Sequence, residues 1–193
     1  MTASAPLTRR STVRYPGGLT VRYRWTGSGG GDELFALSEA RGHLRDLGPL
    51  VSPHPERLCR AELRAEGPQG EWTVRLASVV YDEPQAATWD TPGLLAVAYG
   101  MRLYGLDARS GELRWSWAGG SPLIAVISSP RLPHVLAQGE IETAALDAAG
   151  EVAWRRTHSE VVVAAELVGG RLVLTGYAGQ RIAIDPLSGE EIG

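Results

Sequence analysis

The stretch LYGLDARSGELRW, from Leu103 to Trp115, decides the fold, because it recurs twice downstream. TAALDAAGEVAW runs from Thr143 to Trp154, and RIAIDPLSGEEIG from Arg181 to Gly193. Aligning the acidic residue that follows the aliphatic position sets Asp107, Asp147 and Asp185 about 40 residues apart, the spacing of a stacked or radial repeat. Each copy reads as two strands joined by a tight turn. Leu103, Gly105 and Asp107 alternate with Tyr104 and Leu106, and the chain then returns through Glu112 to Trp115. The Asp can accept hydrogen bonds from backbone groups two or three residues on, and Gly111, Gly150 or Gly189 supplies the positive φ that closes the hairpin. Trp115 and Trp154 are expected to pack large rings between neighbouring sheets. The third copy has Ile192 near that place, a degenerate end repeat.

These residues resemble the PQQ-like repeat family of β-propellers, whose unit is a short strand, Leu-Asp-x-x-x-Gly and a returning strand carrying Trp. The resemblance covers residues 78–193. A weaker relative, LFALSEARGHLRDL from Leu34 to Leu47, has Ser38 for the Asp, keeps Gly42, and has Asp46 where Trp is expected. The resemblance implies blades rather than a cofactor: the quinoproteins of this kind use a calcium site with Asn and Asp ligands and a vicinal cysteine pair. This chain has no Asn and only Cys59. No cofactor and no metal are expected.

Reading along the chain, strands are expected at 12–25 around the turn Pro16-Gly17-Gly18, and in a hairpin of 58–65 with 71–81 around Gly67-Pro68-Gln69-Gly70. In that hairpin Cys59, Ala61 and Leu63 face inward and Arg60, Glu62 and Arg64 face water. Further strands fall at 94–99 and 102–107, at 122–127, 134–138 and 142–147, and at 160–167, 171–176 and 181–185, with returning strands near 112–117, 151–155 and 190–192. No helical period holds over three turns. The fold class is therefore all-β: a small β-propeller or propeller-like array of about four four-stranded antiparallel sheets, or else an open, partial propeller. Residues 1–193 are expected to form one domain, with three repeat blades over 78–193. Residues 10–77 then supply a degenerate first blade and a strand that could close a ring.

Composition narrows the chemistry. The formal charge of −3 implies neither nucleic acid nor an anionic membrane as partner. All 19 basic side chains are Arg, since Lys is absent, as Asn is; both use A-rich codons, which points to a GC-rich, bacterial genome. No Schiff-base or Walker lysine can exist here. One cysteine excludes an intrachain disulfide. The Gly27 to Gly31 loop lacks the Lys and following helix of a phosphate loop. The N-terminus has a twin Arg without the apolar stretch of a secretory signal, so the chain reads as cytoplasmic. His43, His54, His134 and His158 are scattered without metal-ligand spacing, and Pro-flanked His54 and His134 read as loop residues.

The candidate site follows from a length difference. Between its first two strands the first repeat spans Asp82 to Gly93, where the second uses Ser128 to Pro133 and the third Val168 to Gly170. A loop that outgrows its siblings is free to be specific. It carries Asp82, Glu83, Trp89 and Asp90, an exposed Trp ringed by carboxylates that could anchor a basic partner or stack on a sugar. The plainer alternative is a Trp folded over a sheet edge. The arginine face of Arg22 and Arg24 is the next candidate. The function expected is a non-catalytic protein-binding or scaffolding module. The alternatives are a small hydrolase using the loop carboxylates and a structural piece of a larger assembly. The partner expected is another protein, or a second copy if the propeller is open.

Overall fold

A computed structural model of the chain describes residues 8–27, 44–47, 54 and 57–193. The weak repeat relative at 34–47 and the glycine loop lie largely outside these residues. Apart from one 3-10 turn at Pro16–Gly18, the described regular elements are all strands.

The first sheet holds β1 (Arg9–Arg14), β2 (Thr20–Thr26), β3 (Leu44–Asp46), β4 (Cys59–Gly67) and β5 (Gly70–Ser78), in the order β1-β2-β4-β5-β3. Its first four strands are antiparallel and β3 adds parallel to β5. The other three sheets are four-stranded antiparallel meanders. The second is β6 (Gln85–Trp89), β7 (Leu94–Tyr99), β8 (Arg102–Asp107) and β9 (Leu113–Ala118). The third is β10 (Leu123–Ile127), β11 (Val135–Gly139), β12 (Glu142–Leu146) and β13 (Val152–Thr157). The fourth is β14 (Val162–Val168), β15 (Arg171–Gly176), β16 (Arg181–Ile184) and β17 (Glu191–Ile192). The chain divides into two compact units, Met1–Pro84 with Ala108–Glu112, and Gln85–Asp107 with Leu113–Gly193.

In the first unit, period-two alternation makes the core. Val21, Tyr23, Trp25, Ala61, Leu63, Ala65, Val74 and Leu76 are buried. The opposite face is not simply wet, as the sequence suggests: Glu62 is 6% exposed. It lies across from Arg75 in the β4–β5 register and 3.7 Å from Arg24. A carboxylate between two guanidinium groups can be buried where a lone one could not.

In the second unit two apolar layers alternate with three sheets. Leu94, Ala96, Ala98, Leu103 and Trp115 of the second sheet pack on Leu123, Val135, Ala137, Ala144 and Leu146 of the third. The other face of the third, with Leu136 and Ala145, packs on Val162, Leu172, Leu174 and Ile184 of the fourth. Strands β11 and β12 are buried throughout because both faces are covered. The link between consecutive sheets repeats to the hydrogen bond. Gly119 N–H donates to Met101 O and His158 N–H to Ile141 O, both at 2.8 Å. Leu123 N–H to Gly100 O and Val162 N–H to Glu140 O form a second matched pair.

The principal departure from expectation is at 82–93. Gln85–Trp89 is the innermost strand of the second sheet, paired with β7 from Gln85↔Ala98 to Trp89↔Leu94. The long loop is thereby reduced to a turn, closed by Gly93 N–H donating to Asp90 O at 3.0 Å. In QAATW only Thr88 and Trp89 favour a strand, and pairing with the fully buried β7 supplies what Gln85, Ala86 and Ala87 lack.

Candidate functional site

The turns that open on Asp147 and Asp185 join corresponding strands of the second unit, β12 to β13 and β16 to β17. Asp147 Oδ1 accepts the N–H groups of Ala149 and Glu151 at 2.9 and 3.0 Å, and Asp185 Oδ1 that of Leu187 at 2.9 Å. Asp107 Oδ2 accepts from Arg114 at 2.7 Å. Gly111, Gly150 and Gly189 have φ of 68°, 84° and 76°, as the turns require.

Each turn also receives a tryptophan. Trp115 Nε1–H donates to Ala148 O at 3.0 Å, and Trp154 Nε1–H to Pro186 O at 3.1 Å. In both cases the acceptor is the residue after the repeat Asp. Trp72 of β5 makes the same bond to Ala108 O at 3.1 Å within the first unit. The sequence pattern missed this third member because Trp72 sits outside any recognisable repeat copy. Ile192 takes the corresponding place in the fourth sheet, opposite Ala183 as Trp154 is opposite Ala145. His134 departs from the loop-surface expectation. It is 4% exposed, its Nε2 lies 2.6 Å from Pro186 O, and its ring meets Trp154 edge-on at 6.2 Å. A carbonyl only accepts, so Nε2 carries the proton.

Beside the Asp147 turn an open groove of about 500 Å³ is lined by Thr91, Pro92, Pro130, Arg131, Leu132 and Pro133, together with Trp89 and Ala148. Ser128 Oγ donates to Thr88 O at 2.6 Å, which holds the β10–β11 loop against β6. Trp89 is 3% exposed and belongs to the core layer with Leu94 and Trp115. It is therefore not the exposed anchor expected from the sequence. The end of an inner strand points its ring inward, and only an edge reaches the groove. Asp90 is exposed but does not line the groove, and the charged residue that does is Arg131. Asp82 and Glu83 belong to the first unit, where Asp82 Oδ1 accepts Glu83 N–H at 2.8 Å. Arg22 donates twice to Glu66, at 2.8 and 3.2 Å, and Arg24 faces Glu62, so the arginine face is an ion-paired ladder. Among the described residues no three His, Cys, Asp or Glu side chains converge as metal ligands.

Three four-stranded antiparallel meanders joined by a repeating connection, and a five-stranded sheet that is antiparallel but for β3, define the β-propeller class. Solved propellers match the chain at this level. BamB from Moraxella catarrhalis aligns with a TM-score of 0.54 at 18% identity, over 98% of this chain and 62% of its own. HIRA (644–1017) gives 0.50 at 14%, over 95% and 52%. BBS1N, in complex with ARL6DN, gives 0.51 at 12%, over 94% and 52%. The chain thus spans between half and two thirds of the length of these structures. No family model matches the sequence, and no curated protein matches it.

Proposed function

We propose that the chain is a protein-interaction module that binds its partner through the groove beside the Asp147 turn. The observation that carries this is the groove itself: three turns, two of them fixed by prolines, present Pro92, Pro130, Leu132 and Pro133 around a tryptophan edge. Proline-stiffened loops lose little entropy on binding, and an apolar centre beside one cation suits a hydrophobic segment carrying an acid. A solved propeller of similar fold, BBS1N, was crystallised with a protein partner, ARL6DN. The repeats belong, on this reading, to the PQQ-like kind used as a scaffold, and the cytoplasm is the compartment of the partner.

The test is affinity capture from the native host with parent protein and with Arg131→Glu. A stoichiometric protein retained by the parent and weakened roughly thirtyfold by the variant supports the groove, since a central interface residue is typically worth about 2 kcal/mol. Equal retention by both places the site elsewhere. Absence of any stoichiometric protein overturns the function.

Self-association is a second reading, favoured by the outer face of the fourth sheet. Val163 and Val168 are each 50% exposed there, beside the Glu166–Arg181 pair at 2.7 Å. A face carrying both charges is self-complementary about a twofold axis. Sedimentation equilibrium of the parent against Val168→Glu decides between monomer and dimer.

A further inference from the structure

The connection between consecutive sheets leaves a wedge, and the two wedges of the second unit differ. Register makes their residues comparable: Trp117 lies opposite Leu103 two positions beyond Trp115, and Arg156 lies opposite Thr143 two positions beyond Trp154. In the wedge between the second and third sheets, Trp117 packs its ring against the apolar layer. Glu142, 2% exposed, closes it by accepting Gly120 N–H and the Arg155 guanidinium. In the wedge between the third and fourth sheets, Arg156 stands where Trp117 would be and His158 and Ser159 replace Gly119 and Gly120. Gln180 takes the place of Glu142. Arg156 lines this wedge without filling it, held at its side by Gly189 O at 3.2 Å and Glu191 at 2.8 Å. Gln180 folds over Gly176, where a Cβ would lie 2.2 Å from its amide nitrogen. The result is a cavity of about 370 Å³ lined by the apolar Val162, Leu174 and Ile182 and by the polar His158, Gln180, Glu160 and the Arg156–Glu191 pair.

The proton count at His158 sets what the cavity can accept. Gln138 Nε2 donates to Gly139 O at 2.7 Å and Glu142 O at 3.1 Å, so its Oε1 is the acceptor for the Thr143 hydroxyl at 2.6 Å. That uses the only proton on Thr143. His158 Nε2, 2.7 Å from the same oxygen, must therefore be the donor, which leaves Nδ1 as the acceptor of a neutral ring. Burial first, and Arg156 second, lower the imidazole pKa from 6.5, against a raising effect of Glu142, so the ring is neutral at pH 7.

We infer that this wedge is a binding site for the indole of a tryptophan presented by a partner peptide, seated on Val162, Leu174 and Ile182 with its N–H directed to His158. The sister wedge shows that the space between two such sheets takes an indole, since this chain's own Trp117 supplies one there. Glu160 has no cation opposite it among the described residues, so a basic residue beside the tryptophan is favoured. The groove beside the Asp147 turn is a separate site, and neither depends on the other.

The probe is N-acetyl-tryptophanamide, followed by imidazole NMR shifts of His158 in the intact chain. Saturable binding with a dissociation constant on the order of 0.1–1 mM is expected for a ligand of this size. N-acetyl-phenylalaninamide, without the N–H, should bind roughly tenfold more weakly, on the scale of one lost hydrogen bond. Arg156→Trp copies the filled wedge and should abolish binding while the fold is retained. Should that variant fail to fold, the His158 shifts of the parent decide alone. Binding that leaves His158 unmoved, no saturation at 10 mM of probe, on the order of ten times the weakest expected constant, or unchanged binding to folded Arg156→Trp each overturns the assignment.

Discussion

The indole of Trp115 lies directly against Gly150 of the next turn: a Cβ added to Gly150 would stand 2.6 Å from Trp115 Cγ. The repeat glycine thus has two duties, a positive φ of 84° and a bare surface for the preceding sheet's tryptophan. Gly111 beneath Trp72 and Gly189 beneath Trp154 repeat the arrangement, each with a hypothetical Cβ at 2.5 Å. The tryptophan and the glycine of successive repeats form one joint.

Gly150→Ala should accordingly destabilise by about 2–4 kcal/mol, combining backbone strain with overpacking. Gly169→Ala is the control, because Gly169 has a positive φ of 57° with nothing within 4 Å. It should cost only about 1 kcal/mol. Urea midpoints of the two variants measure the difference, and equal losses would mean that the ring yields.

Trp154→Ala should cost about 3–5 kcal/mol through the cavity it leaves. Trp154→Phe keeps most of the ring but loses the bond to Pro186 O, for about 1 kcal/mol plus a smaller packing deficit. Thermal unfolding of both variants ranks the two contributions.

Glu142→Ala removes the acceptor of both Gly120 N–H and Arg155. Arg155 is half exposed and can regain water, so the loss should be about 1–3 kcal/mol rather than that of a fully buried pair. Glu142→Gln should retain part of it. A double cycle with Arg155→Ala isolates the pair.

Stability should fall on acidification through His158. Its folded pKa lies below 6.5, so the unfolded chain binds the extra proton more readily. The contribution is complete above about pH 6.5 and is lost as pH falls through the folded value. Denaturation midpoints between pH 8 and pH 5, roughly spanning that titration, should drop more steeply in the parent than in His158→Gln.

Trp89→Ala should melt the second unit rather than merely weaken binding, at a cost of about 3–5 kcal/mol for a buried ring in the shared layer. Circular dichroism against temperature checks it, and an unchanged transition would restore Trp89 to the surface.

The repeat, its turns and its strand content were legible in the sequence because they are local. Asp107, Asp147 and Asp185 set the period, the glycines fix the turns, and alternation along 102–107 or 171–176 marks strands without reference to anything distant. Trp115 and Trp154 at matching offsets already implied rings between sheets. What the tertiary structure decided depends on partners far along the chain. QAATW is a strand because β7 pairs with it, and that pairing moved Trp89 from a loop anchor to the core. Trp72 joins Trp115 and Trp154 only through the Ala108 carbonyl it reaches, 36 residues away. Arg22 and Arg24 read as a basic face until β4 sets Glu66 and Glu62 against them. The groove of Pro92, Pro130 and Pro133 and the wedge at His158 are likewise gaps between elements, and a gap has no sequence of its own: its shape is set by which side chains fill the sister position and which do not.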